Sequence, residues 1–394
     1  MLTDEQIEKY LYKFANRQEE LSLDVVRVIT KRLNSVKKLA SFDKLMTLEE
    51  TAKTRQDIYT ITELIRSNDT VQKENLTDSM WDLALVLYLD YMAYYEREIA
   101  FQENAEVQAE VNEAILQAIK EYNELTKTPV IVMRDLANPS KLKNWSVDEA
   151  YKSIVNESAQ YTNLSDTDFD NAMKRTTMQL FDSGVRYTNN SSDLARSSNI
   201  AIRANILNSV KKLIKKIDDV VKKQFKSDGV ELSAHVYPAP DHAPAQGHQF
   251  TKAEVDKMQN GEDFTDVNGI TYEGFPLHIG TWNCRHYFKS IKLGVKPEYT
   301  QEQLDKILAD NERGYTAPNG RHYTLYECTQ VQRRYEREIR RAKQNYLLHK
   351  SLNDKVGMQS ARTRVGSLTT QYKQFSRACD IPPKLERIRV KDYQ

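Results

Sequence analysis

Side chains able to do chemistry crowd into one stretch of this chain. Residues 235–286 hold five of the seven histidines (His235, His242, His248, His278 and His286), with Asp241, Cys284 and Arg285 among them. Imidazole, carboxylate and thiolate are the donor types of a zinc site. Cys284 with His286 or His242 as base is also the pairing a cysteine nucleophile uses, and Arg285 alongside favours the thiolate. The spacing supports neither reading. The stretch contains no Cys-x-x-Cys and no His-Glu-x-x-His. No nucleophile elbow and no phosphate-binding glycine loop accompanies it.

The same residues hold four of the ten prolines (Pro238, Pro240, Pro244, Pro276) and five of the twelve glycines, which describes an irregular loop. Polar groups buried in such a loop need hydrogen-bond partners, and the histidines and Asp241 are the side chains to supply them. The expectation is an internal fastener, with no catalytic, metal or cofactor residue assigned. A zinc-dependent hydrolase or nuclease built on His235, His242 and His286 is the enzymatic alternative.

The elements that must position this loop read as helices. Residues 1–183 contain no glycine and no histidine, and no proline precedes Pro129. Ile7, Leu11, Phe14, Leu21, Val25 and Ile29 recur at helical spacing behind a Thr3/Gln6 capping box. Thr47 with Glu50 starts another helix. The spacing predicts one long helical segment over 76–125, with Trp81, Tyr88, Tyr91 and Tyr95 on an aromatic face that either packs inward or docks a partner. Residues 130–133 are apolar and β-branched and fit a buried strand or loop. Helices are expected from Ser146, over 168–181 and from Asp193, the last with Lys211, Lys212, Lys215, Lys216, Lys222 and Lys223 on its polar face. The polar run after Tyr187 marks a domain boundary.

After Gly229 the period changes. Residues 230–237 alternate as a strand, Thr251/Glu254 and Thr300/Gln303 cap short helices, and Asn268-Gly269 and Asn319-Gly320 signal hairpins. The C-terminal part is helical and basic: from Arg321 onward, 17 Lys+Arg face 7 Asp+Glu, an excess of 17 − 7 = 10 positive charges. Arg333, Arg334, Arg337, Arg340, Arg341 and Lys343 are the candidates for contact with DNA or an acidic partner. The tail after Pro382-Pro383 is expected to be extended. The fold class expected is α+β, predominantly helical. It divides into an all-helical domain (1–187), a small α+β domain (193–350), and a basic C-terminal helix and tail (351–394).

Composition bounds the rest. Net charge over the 394 residues is +1, so no overall field draws the chain to nucleic acid or membrane. No apolar run approaches the ~20 residues of a membrane span. Three cysteines are too few and too scattered for a disulfide framework, which fits a reducing compartment. The opening Met1-Leu2-Thr3-Asp4-Glu5 is not that of a secretory leader.

The motifs themselves resemble those of a known family. Ser233-Ala234-His235, then Asp241-His242-Ala243, Gln246-Gly247, and finally Asn283-Cys284-Arg285-His286 look like the signature of phage minor capsid protein 2, a family distantly related to the Mu F-type head morphogenesis proteins. Ser183-Gly184, Arg196, Arg203 and the charged helix from Gln332 to Arg340 are similar to the family pattern as well. The resemblance covers about residues 180–380. Pro240-Asp241 stands where the family usually has Arg-Pro, and Ala245 where it has Trp. The resemblance implies a structural, non-enzymatic protein present in few copies in the phage head, assembled in the bacterial cytoplasm. It also implies association with the portal and other head proteins, and a part in head assembly or DNA delivery. The basic C-terminal helices are then expected to face packaged DNA. A DNA-binding protein outside the virion, using the basic C-terminus, is the remaining alternative.

Overall fold

The computed structural model describes residues 4–36, 47–134, 141–160, 166–187, 196–273, 279 and 284–393. The expected fold class holds: helices dominate, joined by small antiparallel sheets. Helix α1 spans Asp4–Val36 and buries Ile7, Leu11, Phe14, Leu21, Val25, Ile29 and Leu33, the stripe that its spacing demanded. The Thr3 half of its proposed capping box lies outside the described residues.

Helix α2 runs unbroken over Leu48–Tyr94, and the Thr47 hydroxyl accepts from the Glu50 N–H at its start. The segment expected to continue to residue 125 is instead two helices. The chain leaves α2 through Glu96 at φ 51°, makes a short 3-10 turn at Phe101–Glu103, and re-enters helix α3 at Ala105–Thr126. No glycine or proline marks the break. It is made by Asn104, whose side-chain oxygen caps α3 at Val107, and by Phe101, which turns inward against Trp81 and Tyr88 with ring centroids 5.9 and 5.3 Å away.

Residues 129–187 are not purely helical. Strand β1 (Pro129–Arg134) pairs antiparallel with β2 (Leu142–Ser146) and β3 (Val185–Tyr187), and β3 pairs with β4 (Arg196–Ser197). Helices α4 (Val147–Gln160) and α5 (Asp166–Ser183) lie between these strands in sequence. The β-branched run 130–133 therefore forms a strand at the centre of a sheet, where alternation is not required because both sides are covered. The polar run 188–195 lies outside the described residues.

Helix α6 (Ser198–Phe225) ties the molecule together. Its Ile202, Ile206, Val210, Ile217 and Val221 share one core with Leu11, Phe14, Tyr88, Tyr91, Val111 and Tyr122 of α1–α3. Each such buried aliphatic contributes roughly 1.5–3 kcal/mol. The aromatic face of α2 thus packs inward, with Tyr88 and Tyr91 fully buried. Lys212 and Lys216 of α6 pair with Glu121 and Glu110 of α3, so part of the lysine face is a helix–helix seam.

The central segment hangs from the end of α6. Strand β5 (Gly229–Leu232) sits between β6 (Gln249–Thr251) and β9 (Phe288–Ile291), both antiparallel to it. It is shorter than the alternation over 230–237 predicts, because Ser233 bonds to the Tyr287 backbone and His235 to the Gln246 side chain instead. Helix α7 (Lys252–Asn260) carries both bonds of the Thr251/Glu254 capping box. The hairpin β7 (Phe264–Thr265) and β8 (Thr271–Tyr272) turns through Gly269 at φ 84°. Helix α8 (Gln301–Arg313) and the hairpin β10 (Tyr315–Thr316) and β11 (His322–Tyr323) follow. Helices α9 (Leu325–Ser351) and α10 (Lys355–Ala378) pack together through Ile339, Ala342, Val365, Leu368 and Tyr372. The tail is not extended. It coils into a 3-10 turn at Leu385–Ile388, because Ile388 joins the α9–α10 core.

Candidate functional site

The two motif segments meet at the free end of β5. The Leu232 N–H donates to the His248 carbonyl at 3.0 Å, and the Gly247 N–H donates to the Leu232 carbonyl at 2.8 Å. On the other side the Ser233 N–H donates to the Tyr287 carbonyl at 3.0 Å, and the Ser233 hydroxyl accepts from the Tyr287 N–H at 3.2 Å. The strand end is thereby clamped between the proline-rich loop and the segment Cys284–Tyr287. Gly247 is required at its position: its φ is 74°, and an added Cβ would lie 2.5 Å from the Leu304 Cδ2.

Inside the clamp, Gln246 reads the backbone of His235 with both ends of its amide. Its Oε1 accepts from the His235 N–H at 2.8 Å and its Nε2 donates to the His235 carbonyl at 3.3 Å. That fixes which amide atom is oxygen. The same Oε1 faces the His286 Nε2 at 3.5 Å, so the His286 proton sits on Nε2 and its Nδ1 is a lone pair. This Nδ1 lies 3.4 Å from the Cys284 Sγ. His242 approaches the same sulfur with its own Nδ1 at 3.8 Å, while its Nε2 faces the Asp241 carboxylate at 3.7 Å. The donor atoms of His242, Cys284 and His286 all lie within 4.8 Å of one another. His235 packs its ring on His286, centroids 4.1 Å apart.

Burial and charge set the protonation states. His286 is held far below the ordinary histidine range, first by burial and then by His235, His242, Lys211 and Arg285, so it is a neutral imidazole. Burial also works against the charged form of His242, but the Cys284 sulfur and Asp241 outweigh it and raise its pKa. Burial lowers the pKa of Lys211, which α6 brings near Cys284.

The predicted site residues thus separate. His235, Asp241, His242, Gln246, Gly247, Cys284 and His286 come together. His248 does not join them: its Nδ1 pairs with the Tyr272 hydroxyl at 2.7 Å. Asn283 and His278 lie outside the described residues. Ala245 is fully buried in the small core with Leu232 and Phe250. Arg285 points the other way, to Glu8 of α1 at 2.6 Å.

Glu8 was not legible as a functional residue, since nothing near it in sequence is unusual. It gathers Arg285, Arg203, Arg333 and Arg387 from four separate parts of the chain. Burial would raise its pKa, yet the four guanidinium groups hold it down at about 2. Burial and the neighbouring Arg285 in turn lower Arg333 to about 10.

The basic α9 is likewise partly turned inward. Arg340 is buried and grips both carboxylate oxygens of Glu19 at 2.9 and 3.1 Å. Arg341 pairs with Asp182, and Lys343 donates to the Ile388 carbonyl at 2.6 Å. Of the six candidate contact residues, Arg334 and Arg337 are exposed with no ion pair among the described residues.

A family model described as phage minor capsid protein 2 matches residues 2–376. The chain belongs to the phage minor capsid protein 2 family. No curated protein and no solved structure gives a significant match. The match begins far ahead of residue 180, where the motifs start, and takes in the helical N-terminal half of this minor capsid protein. Membership makes it a structural phage protein of the virion. Among the described residues no helix is long and apolar enough to cross a membrane.

Proposed function

We propose that this minor capsid protein sits in few copies inside the phage head near the portal, where it serves head morphogenesis or DNA delivery. The observation that carries the reading is the family match over nearly the whole chain, helical half included. The clamp around β5 acts as an internal fastener for a rigid virion part, and no step of catalysis is assigned to it. Docking on other head proteins falls to the exposed face of α2, where Leu85, Val86 and Leu89 stand out of the core. Packaged DNA is met by Arg334 and Arg337, the outward cations of α9.

Mass spectrometry of purified virions tests this, with the protein expected at low stoichiometry beside the major head protein. Its absence from mature particles would make it an assembly factor that departs. A reconstruction of the head vertex without imposed symmetry should then show density for it against the portal. Val86→Asp with Leu89→Asp should leave the fold intact and exclude the protein from particles.

A further inference from the structure

We propose that His242, Cys284 and His286 bind a zinc-class divalent cation that cross-links the two motif segments. The proposal goes beyond the virion reading, and its failure would leave family membership untouched. Three observations converge on it.

First, the sulfur-to-nitrogen distances suit the ion. Zn–S and Zn–N bonds of ~2.3 and ~2.05 Å in a tetrahedron put a sulfur and a nitrogen about 3.6 Å apart. The Cys284 Sγ lies 3.4 Å from one Nδ1 and 3.8 Å from the other, on either side of that value. Second, the two imidazoles present the same ring nitrogen to one sulfur, Nδ1 of His286 from one side and Nδ1 of His242 from the other. A cation accepts from the thiolate and both imidazoles together. Third, each imidazole has an oxygen acceptor behind it, the Gln246 amide for His286 and the Asp241 carboxylate for His242. That outer support orients and strengthens histidine ligands in metal sites.

The donor set selects the metal. One thiolate and two imidazoles suit zinc and not calcium or magnesium, which prefer oxygen. The fourth position falls to water on the side of His242, the donor nearest to solvent. On binding, the thiol proton leaves to solvent and the thiolate is neutralised by the ion. The ion would join residues 242 and 284 across the stretch that contains α7 and the β7–β8 hairpin. The spacing hid this because no two ligands are placed as in a familiar zinc motif, and the turn at Ala239–His242 brings His242 round to the sulfur.

The test uses the full chain purified without a polyhistidine tag. Elemental mass spectrometry should find about one zinc per chain, as a thiolate and two imidazoles would hold it. Replacing zinc with Co2+ should give the charge-transfer absorption of a thiolate–cobalt bond, lost in Cys284→Ser. Asp241 is exposed, so Asp241→Ala should fold normally and weaken zinc binding roughly 10-fold or more. Wild-type protein that carries no zinc and shows no thiolate band with Co2+ overturns the proposal. So does cobalt binding without that band, or a full affinity retained by Asp241→Ala. The wild-type spectrum decides even if Cys284→Ser does not fold.

Discussion

Glu8 in the first helix and Arg285 in the motif segment meet at 2.6 Å, although 277 positions separate them (285 − 8 = 277). The contact makes the motif part of the helical core. Arg203 of α6, Arg333 of α9 and Arg387 of the tail close on the same carboxylate, so one acid organises four arginines from four regions. Acid should therefore find the weak point of the molecule here. The Glu8 pKa is depressed from 4.5 to about 2 when folded. A depressed carboxylate contributes stability that is complete above its unfolded pKa and lost as pH falls through the folded value. Between pH 4.5 and about 2, Glu8 should thus cost the protein on the order of 3 kcal/mol. Glu8→Gln should lower stability at pH 7 and flatten the acid limb of a urea-melt series against pH. An unchanged limb would mean that other carboxylates carry it.

Lys289 offers a second buried charge with a defined partner. Its side chain is 2 % exposed and its Nζ lies 2.7 Å from Asp90 of α2 and 3.3 Å from Glu298. Burial works to raise the Asp90 pKa, yet it ends below the usual value, with Lys289 the foremost of the groups that lower it. Lys289→Ala should cost about 3–5 kcal/mol, because it removes the buried cation that pairs with the Asp90 carboxylate of α2. The same change in an Asp90→Asn background should cost clearly less. Additive losses in denaturant titrations would remove the pair as the cause.

Within α9 the arginines should divide into two behaviours. Arg340 is held by Glu19 in α1 and by the Arg387 carbonyl at 2.8 Å. Arg340→Ala should lower the unfolding midpoint by the equivalent of ~3 kcal/mol. Arg334→Glu with Arg337→Glu should leave that midpoint within about 0.5 kcal/mol, as exposed substitutions do. If the outward pair meets DNA, the double change should weaken DNA binding at low salt and reduce its salt slope by about 2. DNA binding that responds to Arg340 alone would reverse the assignment.

What could be read in the sequence was whatever a local pattern encodes. The helical stripes of α1 and α6, the capping boxes at Thr251 and Thr300 and both hairpins follow from residues within a few positions of one another. The break at 95–104 did not, since Asn104 and Phe101 are ordinary residues until the faces they cap and fill are in place. The candidate site divides in the same way. The motif named its members, but the Asn-Gly and proline signals say nothing of orientation, so His248 was grouped with residues it never meets. Glu8 and Lys289 were invisible because their partners lie in other elements, and burial is a property of the assembled core.

Gly247 allows the strain and the crowding of the clamp to be separated. Its φ of 74° disfavours any side chain, and its would-be Cβ meets Leu304 of α8 at 2.5 Å. The left-handed backbone alone costs a non-glycine residue roughly 1–2 kcal/mol. Overlap with Leu304, which is 4 % exposed and cannot swing into solvent, adds ~1–3 kcal/mol. Gly247→Ala should therefore destabilise by more than the backbone term. Leu304→Ala leaves a cavity of its own, yet it should remove the overlap, so Gly247→Ala made in that background should cost only the backbone part. Equal costs in both backgrounds, measured by urea denaturation, would show that the turn bears the whole burden and that α8 does not brace the loop.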